Sequence, residues 1–399
     1  MLKGKTVLLG VTGSISAYKI ANLASMLVKL HANVEVVMTK NAAQFITPVT
    51  FETLTKNRCY TETFDRHDVS EVKHIALAER ADVMLIAPAS ANVIGKIAHG
   101  IADDMLSTVF LAVKSPVLVA PAMNVHMLEN PAVQDNLKIL ESRGVTVIPP
   151  DCGTLACGAV GSGKLPPEQT LLDYILRAVA KPKDLAGKRV LVTAGPTRES
   201  LDPVRFITNH STGKMGYAVA RQAMLRGAEV TLVTGPVSIA PPPFVKVAPV
   251  QSAQEMFEAV AARWEDTDIF VMTAAVADYT PAETKSEKIK KSGDGADLTL
   301  QLRRTTDILQ WLGAHKKPGQ LVCGFSMETE NVLENSRAKL TRKNADMIAA
   351  NSLRDAGSGF GTDTNHLVLI KKDSVVDLPL LSKDDAADEV LTVLNTITK

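Results

Sequence analysis

Three features of the 399-residue chain predict two doubly wound α/β domains. A strand, a Gly-containing turn, a helix and a second strand begin at Gly4, and the same pattern begins again at Gly187. In both halves, buried-strand runs alternate with helical stretches, as they do in parallel sheets covered by helices. Between the halves, Lys181-Pro182-Lys183-Asp184-Leu185-Ala186-Gly187-Lys188 is charged and broken by Pro and Gly, which sets the domains at 1–186 and 187–399. Such folds build ligand crevices at the carboxyl ends of their strands, so two starts point to two active sites and two consecutive reactions.

Short apolar runs place the first-half strands at 5–10, 34–39, 82–87, 116–120 and 145–149. After the first strand, Ile20, Leu23, Leu27 and Leu30 recur at helical spacing, so one helix face packs on the sheet. In the second half the strands are expected at 189–194, 229–234, 269–274, 321–325, 346–350 and 366–371. Pro241-Pro242-Pro243 is a stiff connection. Residues 283–297, rich in Lys, Glu, Ser, Gly and Asp, read as an exposed, mobile loop.

Composition narrows the function class. A hydrophobic fraction of 46% supports buried cores, while 4% aromatic residues provide no base-stacking surface. A net charge of +1 leaves no basic footprint for nucleic acid. No apolar run has the length of a membrane span, and Met1-Leu2-Lys3-Gly4-Lys5 leads into a strand without a signal-peptide pattern. Cys59, Cys152, Cys157 and Cys323 form no CxxC pair. A soluble, reducing, cytoplasmic setting with no nucleic-acid or membrane partner is expected.

In the first half, Val11-Thr12-Gly13-Ser14-Ile15-Ser16 joins a strand to a helix and suits a phosphate, although it is not GxGxxG. Thr39 ends the second strand and Ser90-Ala91-Asn92 follows the third, so three polar loops share one sheet edge. Each loop alone is ordinary turn chemistry; together they favour a mononucleotide site. Asn124, in Pro121-Ala122-Met123-Asn124, either binds a substrate carboxylate or caps a helix. His74 sits on a half-apolar helix, where a structural role is the commoner one. Cys157, in a Gly-flanked loop, either delivers a proton or is an inert thiol. Gly158-Ala159-Val160-Gly161-Ser162-Gly163-Lys164-Leu165 nearly matches a P-loop, but Leu165 replaces the Mg²⁺-binding hydroxyl and Pro166-Pro167 follow. Ser211-Thr212-Gly213-Lys214-Met215 fails in the same way.

In this order, Gly13-Ser14-Ile15, His74, Pro88-Ala89-Ser90-Ala91-Asn92 with Gly100-Ile101-Ala102-Asp103, Pro121-Ala122-Met123-Asn124 and Ala156-Cys157-Gly158 resemble the flavin-dependent cysteine decarboxylases. Among them the phosphopantothenoylcysteine decarboxylases are the nearest likeness, and it spans nearly all of 1–180. The resemblance implies a flavodoxin-like fold and FMN held by Gly13, Ser14, Ile15, Thr39, Ser90 and Asn92. It further implies that His74 acts at the flavin-dependent oxidation, Asn124 holds the substrate carboxylate and Cys157 protonates the enethiol intermediate. Ala159 stands where the family usually has an acidic residue, and Asp104 where Asn is frequent.

In the second half, Thr193-Ala194-Gly195-Pro196-Thr197-Arg198-Glu199 ends a strand, and Gly213 and Gly216 open a helix, so the amide cradle recurs. Arg205 either clasps a phosphate or carboxylate or pairs with Asp202. Asp278 ends a central strand, where it suits a metal–triphosphate complex. Lys288-Ile289-Lys290-Lys291 is either a solvated surface or a charge-neutralising segment beside a triphosphate.

Asp202-Pro203-Val204-Arg205-Phe206-Ile207-Thr208-Asn209, Ser211-Thr212-Gly213-Lys214-Met215-Gly216, Ala274-Ala275-Val276-Ala277-Asp278, Lys288-Ile289-Lys290-Lys291 and Gly324-Phe325 resemble the bacterial phosphopantothenate–cysteine ligases. The resemblance implies that the carboxylate of 4′-phosphopantothenate attacks CTP, forming an acyl-cytidylate and pyrophosphate. The amine of L-cysteine then displaces CMP. It implies that Asn209 holds the acyl intermediate, Arg205 contacts substrate and Lys288 stabilises the first transfer. The CTP site would comprise Gly213, Ala274, Asp278, Lys288, Thr306, Asp307, Ile308, Leu309, Phe325, Lys339 and Lys343, with Asp278 on Mg²⁺. Thr306 stands where Pro is common, and Ser326-Met327 where small residues often occur.

Together the two halves imply a bifunctional coenzyme A biosynthetic enzyme whose chain order is opposite to its reaction order. A dinucleotide oxidoreductase would need GxGxxG and an acidic ribose partner, neither of which is evident. A non-catalytic flavoprotein would have no use for both His74 and Cys157. The resemblance also implies a homo-oligomer, a dodecamer built from trimeric decarboxylase and dimeric ligase contacts.

Overall fold

The computed structural model describes residues 1–64, 72–154, 160–290, 298–328, 331–352, 357, 359 and 361–397. They fall into two compact units, Met1–Pro182 and Lys183–Lys399. Among the described residues no helix is long and apolar enough to cross a membrane.

The first unit is a six-stranded parallel sheet in the order Cys59–Tyr60, Asn33–Met38, Thr6–Val11, Val83–Ala89, Val117–Pro121, Thr146–Val147. Its five other strands run in the flavodoxin-type order second, first, third, fourth, fifth; the two-residue Cys59–Tyr60 strand adds an outer edge. The sheet is covered on both faces. Ile20, Leu23 and Leu27 of helix Tyr18–Lys29, with Leu171 and Ile175 of Glu168–Val179, bury against one side. Val93 and Ile97 of Ala91–Ala98, with Leu106 and Val109 of Met105–Ala112, bury against the other. Strand order reverses between Thr6–Val11 and Val83–Ala89, so their carboxyl ends open the crevice expected of a doubly wound sheet.

The near-P-loop run does something else. Asp151–Thr154 and Val160–Lys164 pair as antiparallel strands. Gly163 has φ +133°, and a Cβ there would lie 2.3 Å from the Met123 carbonyl oxygen. The Met123 N–H donates to the Gly163 carbonyl at 3.0 Å. Here glycine serves close backbone approach, not phosphate binding.

Asp104 caps helix Met105–Ala112, accepting from the Ser107 N–H at 2.8 Å while the Ser107 hydroxyl reaches back to the Asp104 N–H. Burial would raise its pKa, but the Ser107 donors and Lys96 outweigh burial and hold it below the ordinary carboxylate value. Its contribution is therefore complete above the unfolded carboxylate pKa and is lost as pH falls through the depressed folded value. Asp104→Ala should cost about 1–2 kcal/mol at neutral pH. Denaturant melts of both proteins should converge in acid, and a constant difference down to low pH would contradict this cap.

The second unit is an eight-stranded sheet in the order Lys246–Pro249, Glu229–Thr234, Arg189–Ala194, Ile269–Met272, Leu321–Glu328, Met347–Ser352, Val368–Lys371, Val375–Asp377. The first six are parallel and the last two antiparallel. Two separate two-stranded antiparallel ladders pair Arg198–Ser200 with Phe206–Thr208 and Tyr279–Pro281 with Leu302–Arg304. Helix Lys214–Leu225 lies so close to the central strands that a Cβ on Gly216 would meet Thr273 Oγ1 at 2.4 Å and Ala194 Cβ at 2.6 Å. Gly216→Ala should therefore cost about 1–3 kcal/mol by overpacking. Calorimetry should show an earlier second-unit transition; an unchanged melt would contradict this packing.

Cys59 and Cys323 are buried free thiols. Burial, aided by Glu52, pushes Cys59 up to about 12, so it is no nucleophile at neutral pH.

Candidate functional site

In the first unit, hydrogen bonds stitch the loops at the carboxyl edge of the sheet together. Thr12 is fully buried; its hydroxyl donates to the Pro88 carbonyl at 2.6 Å and accepts from the Ser90 N–H at 2.9 Å. The Thr39 N–H donates to the Val11 carbonyl at 3.0 Å, and the Ala122 N–H to the Ala89 carbonyl at 3.1 Å. Gly13 lies against Asn41, where a Cβ would approach to 2.7 Å.

These contacts bring together most of the residues expected at the mononucleotide. Ser14 caps the turn Ile15–Ala17, accepting from the Ser16 N–H at 3.4 Å. Thr39 Oγ1 accepts from the Ala42 N–H at 3.2 Å. Ser90 caps helix Ala91–Ala98, whose first turn carries the exposed Asn92. Ile15 is 60% exposed, and Tyr18, three residues on, and Phe45, six residues after Thr39, are exposed too. The hydroxyls, the helix starts and a position that excludes a side chain fit a mononucleotide phosphate.

The other first-half candidates are placed differently. Asn124 Oδ1 accepts from the His126 N–H at 2.9 Å, so the structure uses it to cap Val125–Glu129. His74 is half-buried in the first turn of helix Lys73–Arg80. Cys157, with Ala159, lies outside the described residues.

In the second unit a cavity of about 840 Å³ opens at the carboxyl edge of the sheet. Asn209, Gly213, Ala274 and Asp278 line it. So do Thr306, Asp307, Ile308, Leu309, Phe325, Lys339 and Lys343. Among the described lining residues, the cationic side chains Lys214, Arg304, Lys339, Arg342, Lys343 and Lys383 outnumber the carboxylates Asp278 and Asp307, and although Lys214 also pairs with Asp363 at 2.7 Å, the balance favours a polyanion. Gly213, at φ +78°, opens helix Lys214–Leu225 without a capping side chain.

Asp307 caps helix Ile308–His315 through the Gln310 N–H at 2.9 Å and pairs with Lys343. Burial would raise the Asp307 pKa, yet Lys343 and the Gln310 N–H outweigh burial and lower it. Lys339 Nζ donates to the Phe325 carbonyl at 2.8 Å. Asn209 Nδ2 donates to the Ala275 carbonyl at 2.8 Å, fixing its side chain against the central strand end.

Two expected ligase residues lie outside the cavity lining, Arg205 and Lys288. Arg205 pairs with Asp202, through Nε at 3.0 Å and Nη2 at 2.7 Å, so of its two expected partners Asp202 is the one present. Lys288 is exposed on the neighbouring segment. Among the described residues no cluster of three or more His, Cys, Asp or Glu side chains could hold a metal ion. With Asp307 engaged by Lys343 and the Gln310 N–H, Asp278 fits Mg²⁺, which takes one or two carboxylates and completes its shell with phosphate oxygens and water.

Residues 1–180 match the Flavoprotein family, and residues 185–397 match the DNA/pantothenate metabolism flavoprotein C-terminal domain. The chain is 46% identical over 403 residues to the coenzyme A biosynthesis bifunctional protein CoaBC of Bacillus subtilis (strain 168), covering 100% of this chain and 98% of that protein. The chain belongs to the CoaBC family.

The CoaBC protein of Escherichia coli (strain K12) is 43% identical over 384 residues, covering 96% of this chain and 95% of that protein. A crystal structure of the C-terminal domain of a CoaBC protein is 45% identical, covering 53% of this chain and 96% of that chain, with a TM-score of 0.46.

Sequence reasoning gave no role to Thr12 or to the cavity lysines Lys214 and Lys383. Lys383 is buried at the start of helix Lys383–Asn395 and donates to the Gly359 carbonyl at 2.9 Å. Burial, with Lys214 nearby, lowers its pKa from the ordinary lysine value. Nothing local in the sequence marks it, because its cavity partners are brought in from distant segments. Thr12 was detectable: a Thr directly after the first strand, before the Gly-Ser turn, is placed to tie that turn to the next strand.

Proposed function

We propose that the second unit activates the carboxylate of 4′-phosphopantothenate with CTP and joins it to L-cysteine. The first unit then decarboxylates 4′-phosphopantothenoyl-L-cysteine to 4′-phosphopantetheine with FMN. The observation that carries this reading is the six-cation cavity at the sheet edge, in a chain of a family bifunctional in coenzyme A biosynthesis.

In the ligase unit a carboxylate oxygen attacks the α-phosphorus of CTP and pyrophosphate leaves. The cysteine nitrogen then attacks the acyl carbon, CMP leaves and the amine gives up a proton. Activation is required because a free carboxylate has no adequate leaving group. Lys214, Lys339, Lys343 and Lys383 neutralise phosphate charge, and Asp278 would hold Mg²⁺, which would supply further charge neutralisation. Ala274, Phe325 and residues 306–309 bound the nucleoside. Asn209 holds the acyl group and Lys288 supports the first transfer.

In the decarboxylase unit, Gly13, Ser14, Ile15, Thr39, Ser90 and Asn92 would hold FMN. When bound, FMN supplies a reversible two-electron sink that makes loss of CO₂ easy. Asn124 orients the substrate carboxylate, His74 acts where the thiol and carboxylate are activated, and Cys157 protonates the enethiol. The exposed Ile15, Tyr18 and Phe45 support a flavin site completed by a neighbouring copy. Trimeric and dimeric contacts combine into a dodecamer in the cytoplasm, a mass that light scattering reads directly.

A stepwise assay tests the ligase half. With 4′-phosphopantothenate, Mg²⁺ and CTP but no cysteine, pyrophosphate should appear in a burst of about one per site. CMP should follow only when cysteine is added. Equal turnover with ATP, or no pyrophosphate before cysteine, would overturn the acyl-cytidylate reading.

A further inference from the structure

Asp202 is 2% exposed and its carboxylate receives five N–H donors. The Val204 and Arg205 amides donate at 2.8 Å, and the Arg205 guanidinium through Nε at 3.0 Å and Nη2 at 2.7 Å. The fifth donor comes from a distant part of the chain, the Ile289 N–H at 3.0 Å. Arg205 Nη2 also donates to the Ile289 carbonyl, so both backbone groups of Ile289 are held by the Asp202–Arg205 pair.

The same turn is tied to the same segment twice more. Thr284 Oγ1 donates to the Ser200 carbonyl at 3.1 Å, and the Lys285 N–H to the Leu201 carbonyl at 3.0 Å. Lys288 therefore lies between two anchored points, Lys285 and Ile289, with its own side chain exposed. On its other side, the turn continues into Phe206–Thr208, which pairs with Arg198–Ser200 and runs directly into Asn209.

We propose that Asp202 is a positioning residue for the ligase, a buried clasp that sets the backbone of the Lys288 segment relative to the Asn209 strand. The inference rests on the roles of Asn209 and Lys288 given above. Its chemistry is specific to an ionised carboxylate. All five partners are donors, and only a carboxylate offers acceptors on both oxygens; an amide would present its own N–H groups to one side of the cluster. Arg205 compensates the buried charge, which would otherwise be costly. Arg205 thus acts through Ile289 rather than on substrate.

The test uses the full chain with Asp202→Asn, Thr284→Val and Lys288→Gln. In Asp202→Asn, native-state tryptic cleavage between residues 285 and 290 should rise about tenfold, as expected for losing one charge-assisted hydrogen bond. Pyrophosphate release should lose about tenfold in kcat while KM for CTP stays within about threefold. CO₂ release from supplied 4′-phosphopantothenoyl-L-cysteine should not change. Thr284→Val, which removes one outer tie, should raise cleavage about threefold. If Asp202→Asn fails to fold, Thr284→Val and Arg205→Lys decide the question by the same cleavage assay.

Wild-type cleavage in these variants would overturn the clasp. A CTP KM that rises as steeply as kcat falls would also overturn it, pointing to general damage of the cavity. Wild-type pyrophosphate release by Lys288→Gln would instead overturn the role of Lys288, and with it the catalytic part of the proposal, while the cleavage result still judges the clasp.

Discussion

Asn209→Asp should abolish amide formation while CO₂ release from supplied 4′-phosphopantothenoyl-L-cysteine continues at the wild-type rate. The side-chain amide donates to the Ala275 carbonyl at 2.8 Å, and that carbonyl also accepts from the Thr197 N–H at 3.3 Å. An aspartate at neutral pH has no hydrogen to donate, so oxygen would face oxygen across the same gap. The carboxylate must turn away, leaving the Ala275 carbonyl with the longer Thr197 hydrogen bond and adding negative charge where an acyl phosphate is to be held. One lost hydrogen bond costs about 0.5–1.5 kcal/mol. With misplacement of the reacting group, a ligase loss of about 10³-fold or more is expected. The readouts are pyrophosphate and amide product for one unit and CO₂ for the other. Loss of both activities in a folded protein would show that the two sites are not separable as described.

Thr12→Val should strip the first unit of flavin and leave the ligase rate unchanged. The substitution keeps the shape and removes one hydroxyl. That hydroxyl is fully buried and bridges the Pro88 carbonyl at 2.6 Å and the Ser90 N–H at 2.9 Å. Valine leaves both backbone groups unsatisfied, at about 1–3 kcal/mol each. The Ser90 loop would then part from the Gly13-Ser14 turn, and both are needed at the proposed phosphate site. Flavin per chain, read by absorbance after desalting, should fall well below the wild-type value, and the first thermal transition should come earlier. Full flavin occupancy in Thr12→Val would mean that this bridge does not organise the site.

Much of this architecture was legible because buried parallel strands read as continuous apolar runs. The expected strands at 189–194 and 229–234 occur as Arg189–Ala194 and Glu229–Thr234. Short edge strands were not legible. Cys59–Tyr60 has two residues, and Lys246–Pro249 is largely exposed and ends in proline, so neither carries an apolar signal. The strand expected at 366–371 occurs as Val368–Lys371, but it is antiparallel, turning tightly into Val375–Asp377, and spacing alone did not set that direction.

The site residues divide the same way. Ser90, directly after Val83–Ala89, and Gly213, which opens Lys214–Leu225, could be located because their positions follow from the elements they adjoin, whereas the central strand ends at Met272, six residues before Asp278. Side chains with two possible partners could not be resolved in sequence. Asn124 Oδ1 accepts the capping His126 N–H and Arg205 pairs with Asp202, each through local geometry that only the folded turn supplies, and neither contact decides a role toward substrate. Lys383 carried no signal, since burial against the cavity depends on the whole second sheet.

The most direct test of two live sites in one chain is an absorbance spectrum of the purified protein, followed by an assay supplied with 4′-phosphopantothenate, L-cysteine, Mg²⁺ and CTP. A yellow protein that releases pyrophosphate and then CO₂ in equal amounts is the predicted result. A colourless protein that releases pyrophosphate alone would contradict the flavin site at Gly13, Ser14 and Ser90 and leave only the ligase standing.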